Sequence, residues 1–189
     1  MRTDVPLDRA YRLLNHGPTV LVSASHGGRV NVMAAAWAMP LDFDPPKVAV
    51  VIDKSTFTRG LIEGSGRFAL NLPCRALADL TYRLGSTSGH QVDKRADPGL
   101  PIIEGRTGLP LVDGCVGWLE CTLLPEPALQ DRYDLFLGQV VAAQADSRVF
   151  RDGRWFFDEA PQALRTLHHV AGGAFLSASD LMQATLPTR

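Results

Sequence analysis

Cysteine is scarce in this sequence, and no motif uses it as a metal ligand. The chain of 189 residues has 3 cysteines, Cys74, Cys115 and Cys121, and none of them belongs to a Cys-x-x-Cys motif. Three cysteines cannot all pair with one another and no zinc-type spacing occurs, so the pattern excludes a disulfide framework and a cysteine zinc site. We expect buried thiols and a cytoplasmic protein, because free thiols persist in a reducing compartment.

The sequence also lacks an excess of charge and a long apolar run. Its formal net charge is -1 and its pI is about 6.5. With no basic field to attract a phosphate backbone, we predict no nucleic-acid partner. No apolar run approaches the ~20 residues of a membrane helix, so we predict no membrane partner. Residues 1–20 are too charged for a signal peptide, since they include Arg2, Asp4, Asp8, Arg9 and Arg12.

A dinucleotide-binding fingerprint is missing, although Gly64-Ser65-Gly66 resembles part of one. These glycines follow a helix-like segment and precede a strand-like one, which reverses the order that the fingerprint requires. We interpret them as the end of a helix. No side chain is an obvious general acid or base. The adjacent His168 and His169 would point in different directions on a helix or a strand, so we predict no metal site there.

Most of the remaining chain has the pattern of short strands. Strand candidates are residues 19–25, 29–38, 47–52, 67–72, 115–124 and 133–145. Short helices are predicted over residues 7–14, 57–63 and 75–84, and the proline-rich residues 40–46 are expected to form a fixed corner. The pattern predicts a mainly β fold, an antiparallel β-barrel with short helices, in a single domain over residues 1–189.

Two stretches stand out as candidate binding elements. The first reads Asn31-Val32-Met33-Ala34-Ala35-Ala36-Trp37. Three consecutive alanines are unusual in a strand, and they leave room either for a ligand beside the backbone or for crowded packing in a barrel. The second begins at Lys54, Ser55 and Thr56, where a helix starts. A helix N-terminus favours a phosphate, although a plain capped helix has the same pattern.

The order of these and later motifs resembles the flavin reductase-like family, and within it the flavoredoxin branch. The resemblance runs through Asn31-Val32-Met33 with Trp37, Asp44-Pro45-Pro46, and Lys54 with Thr56 and Thr58. It continues through Phe68 to Pro73, Ser88-Gly89 with Val92-Asp93-Lys94, Leu119-Glu120-Cys121, and Phe136-Leu137-Gly138-Gln139-Val140. It covers residues 19–146 in one order, and its specificity lies in that order.

This resemblance implies a split β-barrel of Greek-key-like topology that binds FMN without a covalent bond, at the interface of a homodimer. The strand from Asn31 to Trp37 would follow the flavin. Lys54, Ser55, Thr56 and Thr58 would hold the phosphate, and two further segments would close over the ring. The cofactor-binding residues implied are Asn31, Val32, Met33, Ala34, Ala35, Ala36, Trp37, Lys54, Ser55, Thr56, Thr58, Asn71, Leu72, Pro73, Ser88, Gly89, Asp93 and Lys94.

The resemblance further implies an NAD(P)H-dependent flavin oxidoreductase, in which NADH or NADPH reduces FMN by hydride transfer to flavin N5. The chemistry would lie on the flavin, so no catalytic side chain is predicted. The alternative is a flavoredoxin-like electron carrier without nicotinamide turnover of its own. A partner monooxygenase or redox protein would receive the electrons. The core would span residues 17–150, and an extension over residues 151–189 would pack near the site.

That extension carries the two histidines as candidate substrate contacts. His168 and His169 lie in residues 161–170, which fit either one helix or an extended segment that crosses the mouth of the site. Ala34 departs from the family pattern, because relatives often have a hydroxyl residue there. The resemblance therefore implies one polar contact to the flavin fewer than in those relatives.

Overall fold

The structure is a computed structural model that describes residues 1–186, so the last three positions of the expected extension lie outside the described residues. Fourteen strands and four α-helices are present in this range. The strands are β1 (Arg2–Asp4), β2 (Val20–His26), β3 (Arg29–Ala35), β4 (Ala38–Phe43), β5 (Pro46–Val51), β6 (Arg67–Leu72), β7 (Ile102–Glu104), β8 (Pro110–Val112), β9 (Gly117–Leu124), β10 (Leu135–Asp146), β11 (Phe150–Arg151), β12 (Arg154–Trp155), β13 (Leu167–Ala171) and β14 (Ala174–Ser177). The helices are α1 (Leu7–Ala10), α2 (Phe57–Ser65), α3 (Ala78–Ser86) and α4 (Pro127–Tyr133).

An eight-stranded antiparallel sheet forms the body of the fold. Seven strands follow the order β3-β2-β6-β9-β10-β5-β4, and β1 pairs with β10. The two end strands of this order, β3 and β4, are joined by Ala36 and Trp37 alone. A two-residue link requires the ends of the sheet to meet, so the sheet curls round, and β3 and β4 have no ladder between them in the described chain. The predicted mainly β fold is confirmed.

The strands have two buried faces, because the sheet packs against a core on its inside and against helices and loops on its outside. Val22, Phe68 and Phe136 belong to the inner core. Leu21 and Trp118 face outwards, where they pack with Leu80 and Leu84 of α3. Burial on both faces explains why Val20, Leu21 and Val22 at the start of β2 are all apolar and do not alternate with polar residues.

The first hairpin follows the sequence pattern closely. β2 and β3 pair from Val20 with Ala35 to His26 with Arg29. Gly27 and Gly28 form the turn at φ angles of 57° and 76°, a region that glycine adopts without a steric penalty. The predicted strands over residues 47–52 and 67–72, and the helix end at Gly64-Ser65-Gly66, also agree with β5, β6 and the left-handed Gly66 after α2.

Two expectations from the sequence are wrong in detail, and one helix was not predicted. Residues 40–46 are not a corner, because Pro40 lies in β4 and only residues 44 and 45 turn between β4 and β5. β4 is an edge strand with a register shift beside Pro40, a position that tolerates the missing N–H. Helix α4 occupies part of the link before β10. The helix alternative for residues 161–170 is also wrong, because β13 is extended.

No helix in residues 1–186 is long and apolar enough to cross a membrane.

Two glycines allow a matched test of the packing. A Cβ on Gly138 of β10 would lie 2.5 Å from Cζ of the buried Phe68, whereas a Cβ on Gly60 of α2 would meet nothing within 4 Å. We expect Gly138→Ala to lower the free energy of unfolding by about 1–3 kcal/mol through overpacking. Gly60→Ala should raise it by about 0.5–1 kcal/mol, because alanine favours a helix interior. Urea unfolding measures both changes, and a neutral Gly138→Ala would contradict the packing described here.

Candidate functional site

Two adjoining clefts lie between β3, α2 and α3. The large cleft has a volume of about 730 Å³ and the small cleft about 240 Å³. Met33, Ala34, Gly85 and Ser86 line both, so the two clefts are continuous. A ligand with one bulky part and one compact part can therefore occupy both at once.

The large cleft is built mainly from β3, α3 and the C-terminal hairpin of β13 and β14. Its walls are mostly apolar or aromatic, and Trp37, Tyr82 and Tyr133 keep 74%, 47% and 56% of their surface exposed around it. The lining residues are Thr19, Met33, Ala34, Ala35, Ala36, Trp37, Val51, Asp53, Thr81, Tyr82, Gly85, Ser86, Tyr133, Asp134, His169, Gly172 and Phe175.

The alanines at the end of β3 allow close packing and also leave room for a ligand, the two explanations that the sequence left open. Ala34 packs against α3, and a Cβ on Gly85 would lie 3.2 Å from the Ala34 Cβ. This close contact explains a small residue at position 34, because a larger one would push helix and strand apart. Ala35 and Ala36 line the large cleft without filling it. The short side chains therefore set the approach of α3 and also leave space for a ligand.

The small cleft lies at the start of α2. Ser55, Thr56, Phe57 and Thr58 line it from this helix end. The Thr56 hydroxyl donates to the carbonyl oxygen of Asp53 at 2.8 Å, and no side chain caps the helix. The first-turn N–H groups of this nine-residue helix therefore lack an intrahelical partner at the helix end that lines the cleft. Ser88 and Gly89, also predicted, line the opposite side with Thr87.

Lys94 places a buried ammonium group against the small cleft. The residue is 4% exposed, and its Nζ donates to the carbonyl oxygens of Val32 at 2.8 Å and Leu84 at 2.7 Å. No carboxylate forms an ion pair with Lys94 in the described part of the chain. Burial lowers the pKa of Lys94 to about 8. The sequence predicted Lys94 as a contact to the ring, and the structure places it beside the helix N-terminus instead.

Lys54 and Asp93 are turned away from both clefts, contrary to their predicted roles. The Lys54 ammonium donates to the carbonyl oxygen of Asp131 at 2.6 Å, on the side of α4. The Asp93 carboxylate accepts the backbone N–H of Arg95 at 3.0 Å and caps the 3₁₀ turn Lys94–Ala96. Asp93 therefore contributes by starting the turn that carries Lys94.

Asn31 links β3 to α2 below the small cleft. Its side-chain amide donates to the Thr58 hydroxyl at 2.8 Å, and the residue is 3% exposed. A Cβ on Gly89 would lie 2.7 Å from Asn31 Oδ1 and 2.8 Å from Phe57 Cδ1. Glycine at position 89 therefore lets the loop approach β3 and α2 closely. Asn31, Thr58 and Gly89 shape the small cleft that they line.

Four other predicted contacts lie outside the clefts. Val32 is fully buried in the outer core, although its carbonyl oxygen accepts from Lys94. Asn71 bonds Leu21, Ser23 and Val112 on the outer face of β6, so its amide is already satisfied. Leu72 belongs to the inner core and Pro73 is buried beyond the strand. The side chains of residues 71–73, predicted to close over a ring, line neither cleft and instead hold the fold together.

The two adjacent histidines separate, as expected for consecutive strand residues. His168 Nδ1 lies 3.1 Å from the carbonyl oxygen of Gly17, and its ring packs against His16. His169 lines the large cleft together with Gly172 and Phe175. Of the two predicted substrate contacts, the structure brings only His169 to the site.

Several lining residues had no signal in the sequence. Thr19 precedes β2, and Tyr82, Tyr133 and Phe175 come from α3, α4 and β14, so no local motif marks them. Asp134 also lines the cleft, and its backbone and side chain explain its position. It follows α4 with a φ of 56°, and its carboxylate pairs with the Arg59 guanidinium at 2.6 Å. That ion pair fixes the end of α4 beside the start of α2.

The donors in the two clefts suit one type of ligand. The small cleft combines an ammonium group, helix N–H groups and hydroxyls, which together match a phosphate. The large cleft beside it is wide and largely apolar, as a planar ring system requires. Residues 1–186 contain no group of three or more His, Cys, Asp or Glu side chains that could hold a metal ion. The arrangement can therefore bind a phosphate monoester that carries a flat ring.

Comparisons with known proteins agree with this geometry. The model of a family described as "Flavin reductase like domain" matches residues 12–165. The chain is 47% identical to the uncharacterized protein YddH of Escherichia coli (strain K12) over 184 residues, which is 95% of this chain and 96% of YddH.

Two solved structures are also similar. An FMN-binding domain of a flavin reductases-like enzyme from Shewanella baltica OS155 is 48% identical, with a TM-score of 0.95 and 98% of each chain covered. Flavoredoxin of Desulfovibrio vulgaris (Miyazaki F) is 25% identical, with a TM-score of 0.74 and coverage of 89% of this chain and 90% of the flavoredoxin.

Proposed function

Because this chain belongs to the flavin reductase-like domain family, we propose that it binds FMN and uses NADH or NADPH to reduce it. The observation that carries this proposal is the buried, uncompensated ammonium of Lys94 beside the N-terminus of α2. An anion there would balance the charge, and the wide cleft next to it has room for a ring.

Each part of FMN has a matching part of the site. The phosphate would lie in the small cleft, held by Lys94, the first N–H groups of α2, and the hydroxyls of Ser86 and Ser88, whereas the Ser55 hydroxyl already donates to Asp53 Oδ1 at 2.6 Å. The isoalloxazine would lie in the large cleft against Met33 to Trp37. The ribityl chain would cross above the contact between Ala34 and Gly85, which both clefts share.

When bound, FMN supplies the hydride and electron chemistry, and the protein binds and orients it. The chain's own residues would hold FMN and the nicotinamide against each other, and the apolar wall of the large cleft would exclude water from between them. Fixed backbone N–H groups along β3 would stabilise negative charge on the ring without reorganisation. No catalytic side chain is assigned.

An electron carrier is the second candidate, favoured by the likeness to the flavoredoxin of Desulfovibrio vulgaris (Miyazaki F). Such a carrier binds the same cofactor but receives electrons from a protein donor. The two functions use the same clefts and differ in whether a nicotinamide reaches the flavin. A monooxygenase or another redox protein is the proposed electron acceptor in either case.

A homodimer with the flavin at its interface is also proposed. Met39, Leu41 and Phe43 project from the outer edge of β4 with 54%, 46% and 66% of their surface exposed. Trp37 and Tyr133 extend this apolar surface to the large cleft. A second copy that covered it would also cover the ring. The three free, buried cysteines support the cytoplasm as its compartment.

Two lysines provide a matched test of the phosphate site. Lys94→Met removes the buried ammonium, and we expect it to weaken FMN binding about 10- to 100-fold, the usual range for lost charge-assisted hydrogen bonds. Riboflavin, which has no phosphate, should lose much less. Lys54→Met is the control and should bind FMN as the wild type does, because Lys54 faces Asp131. Fluorescence titration measures both flavins, and equal losses for FMN and riboflavin in Lys94→Met would contradict the assignment.

The pH dependence of binding follows from the same ammonium. Burial places the pKa of Lys94 near 8 in the free protein, and a bound phosphate favours the charged form. FMN affinity should therefore be retained just below pH 8 and fall as the pH rises above it. Riboflavin affinity, measured in the same buffers, should change little over this range. An FMN affinity that stays constant from pH 7 to pH 9.5 would argue against Lys94 as the phosphate ligand.

Nicotinamide turnover distinguishes the two candidate functions. Purified protein with added FMN should oxidise NADH or NADPH steadily, followed by the loss of absorbance at about 340 nm. FMN without protein is the control for the background reaction. If the FMN-loaded protein oxidises neither nicotinamide but accepts electrons from a protein donor, the carrier function is correct and the reductase function is not.

A further inference from the structure

One wall of the large cleft contains a buried hydroxyl whose proton is not used. Thr19 is 2% exposed and lines the cleft. Its Oγ1 accepts the backbone N–H of His169 at 2.8 Å, but its own proton has no protein acceptor within residues 1–186. A buried hydroxyl ordinarily donates as well as accepts. The free proton therefore marks a place where a bound group would complete the hydrogen bonding.

The His169 ring, which lines the same cleft, offers the complementary group. His169 Nε2 lies 3.0 Å from the carbonyl oxygen of Gly172. A carbonyl oxygen only accepts, so Nε2 carries the proton of the neutral ring and Nδ1 is left as an acceptor. Nothing in the described chain donates to Nδ1. The Phe175 ring lies 5.4 Å from the imidazole, centroid to centroid, and limits its orientation.

We propose that Thr19 and His169 form an amide-recognition pair, in which the Thr19 hydroxyl donates to a carbonyl oxygen and His169 Nδ1 accepts from the neighbouring N–H. The hydrogen bond from the His169 backbone N–H to the Thr19 hydroxyl fixes the two residues next to each other on one wall of the cleft that both line. A carbonyl group next to an N–H group is the chemistry that such a pair selects.

This inference rests on the proposed function, which offers two sources of that chemistry in the same cleft. The pyrimidine edge of a flavin has a ring carbonyl beside the N3–H group. The carboxamide of a nicotinamide has a carbonyl beside an NH₂ group. The experiment needs one arm for each source.

Three variants test the contributions of the Thr19 hydroxyl and of His169 Nδ1 separately. His169→Phe removes the acceptor but keeps a ring beside Phe175. Thr19→Val removes the hydroxyl with little change of shape, and Thr19→Ser restores it as the matched control. Far-UV circular dichroism and thermal unfolding verify that each variant folds. His169 is exposed, so its variant tests the pair even if substitution of the buried Thr19 disturbs the fold.

The flavin arm uses apoprotein and fluorescence titration with FMN and with 3-methyl-FMN, which lacks the N3–H group. The nicotinamide arm uses FMN-loaded protein and calorimetry with NAD⁺ and with 3-acetylpyridine adenine dinucleotide, which lacks the NH₂ group. The wild type should prefer the ligand with the N–H group by about tenfold or more in one arm. His169→Phe should lose that preference. Thr19→Val should weaken binding of the same ligand about tenfold, and Thr19→Ser should restore it.

The arm in which these effects occur identifies the source of the amide. The pair is overturned if folded variants keep the preferences of the wild type in both arms, or if the wild type shows no preference in either. Those results would leave FMN binding itself intact. A wild-type protein that binds no FMN would instead overturn the proposed function, and the pair with it.

Discussion

A buried ammonium group without a carboxylate partner is the constraint around which this site is arranged. Burying a charge is costly unless hydrogen bonds or an opposite charge compensate it. The carbonyl oxygens of Val32 and Leu84 satisfy two donors of Lys94, but carbonyls supply no counter-charge. The same two bonds connect β3 to the end of α3. Lys94 therefore holds together the walls of the small cleft and supplies the positive charge inside it.

The rest of the fold brings other elements to this charge. The curled sheet brings its end strands β3 and β4 together without a ladder between them, and α2 and α3 pack beside β3. Small residues at positions 34, 85 and 89 permit these close approaches. The C-terminal hairpin completes the opposite wall, where Gly173 packs on the ring of Tyr82. A groove of two connected parts follows from this packing, with its positive end at the start of α2.

Local patterns in the sequence predicted the elements that local forces determine. The β2–β3 hairpin depends on two adjacent glycines, and α2 ends at the left-handed Gly66. The pattern also located the strand beside the large cleft and the helix end that lines the small cleft. Pro40 misled the prediction of a corner, because an edge strand tolerates proline and the sequence does not reveal which strand is at the edge.

The side-chain assignments depend on tertiary contacts and were harder to predict. Lys54 stands next to the start of α2 in sequence, yet it bonds to Asp131, while Lys94 reaches the same helix end from a distant turn. Asn71 fits a ligand contact by its type, but Leu21, Ser23 and Val112 satisfy its amide. Thr19 and His169 lie 150 positions apart and meet through one hydrogen bond. No local motif encodes such contacts.

The most direct test of the account is the pKa of the Lys94 ammonium itself, measured by NMR of ¹⁵N-labelled lysine in the free protein and with each flavin. The account predicts a pKa near 8 in the free protein, an upward shift when FMN binds, and little change when riboflavin binds. An unchanged pKa with FMN bound, or an equal shift with both flavins, would contradict the claim that Lys94 receives the phosphate.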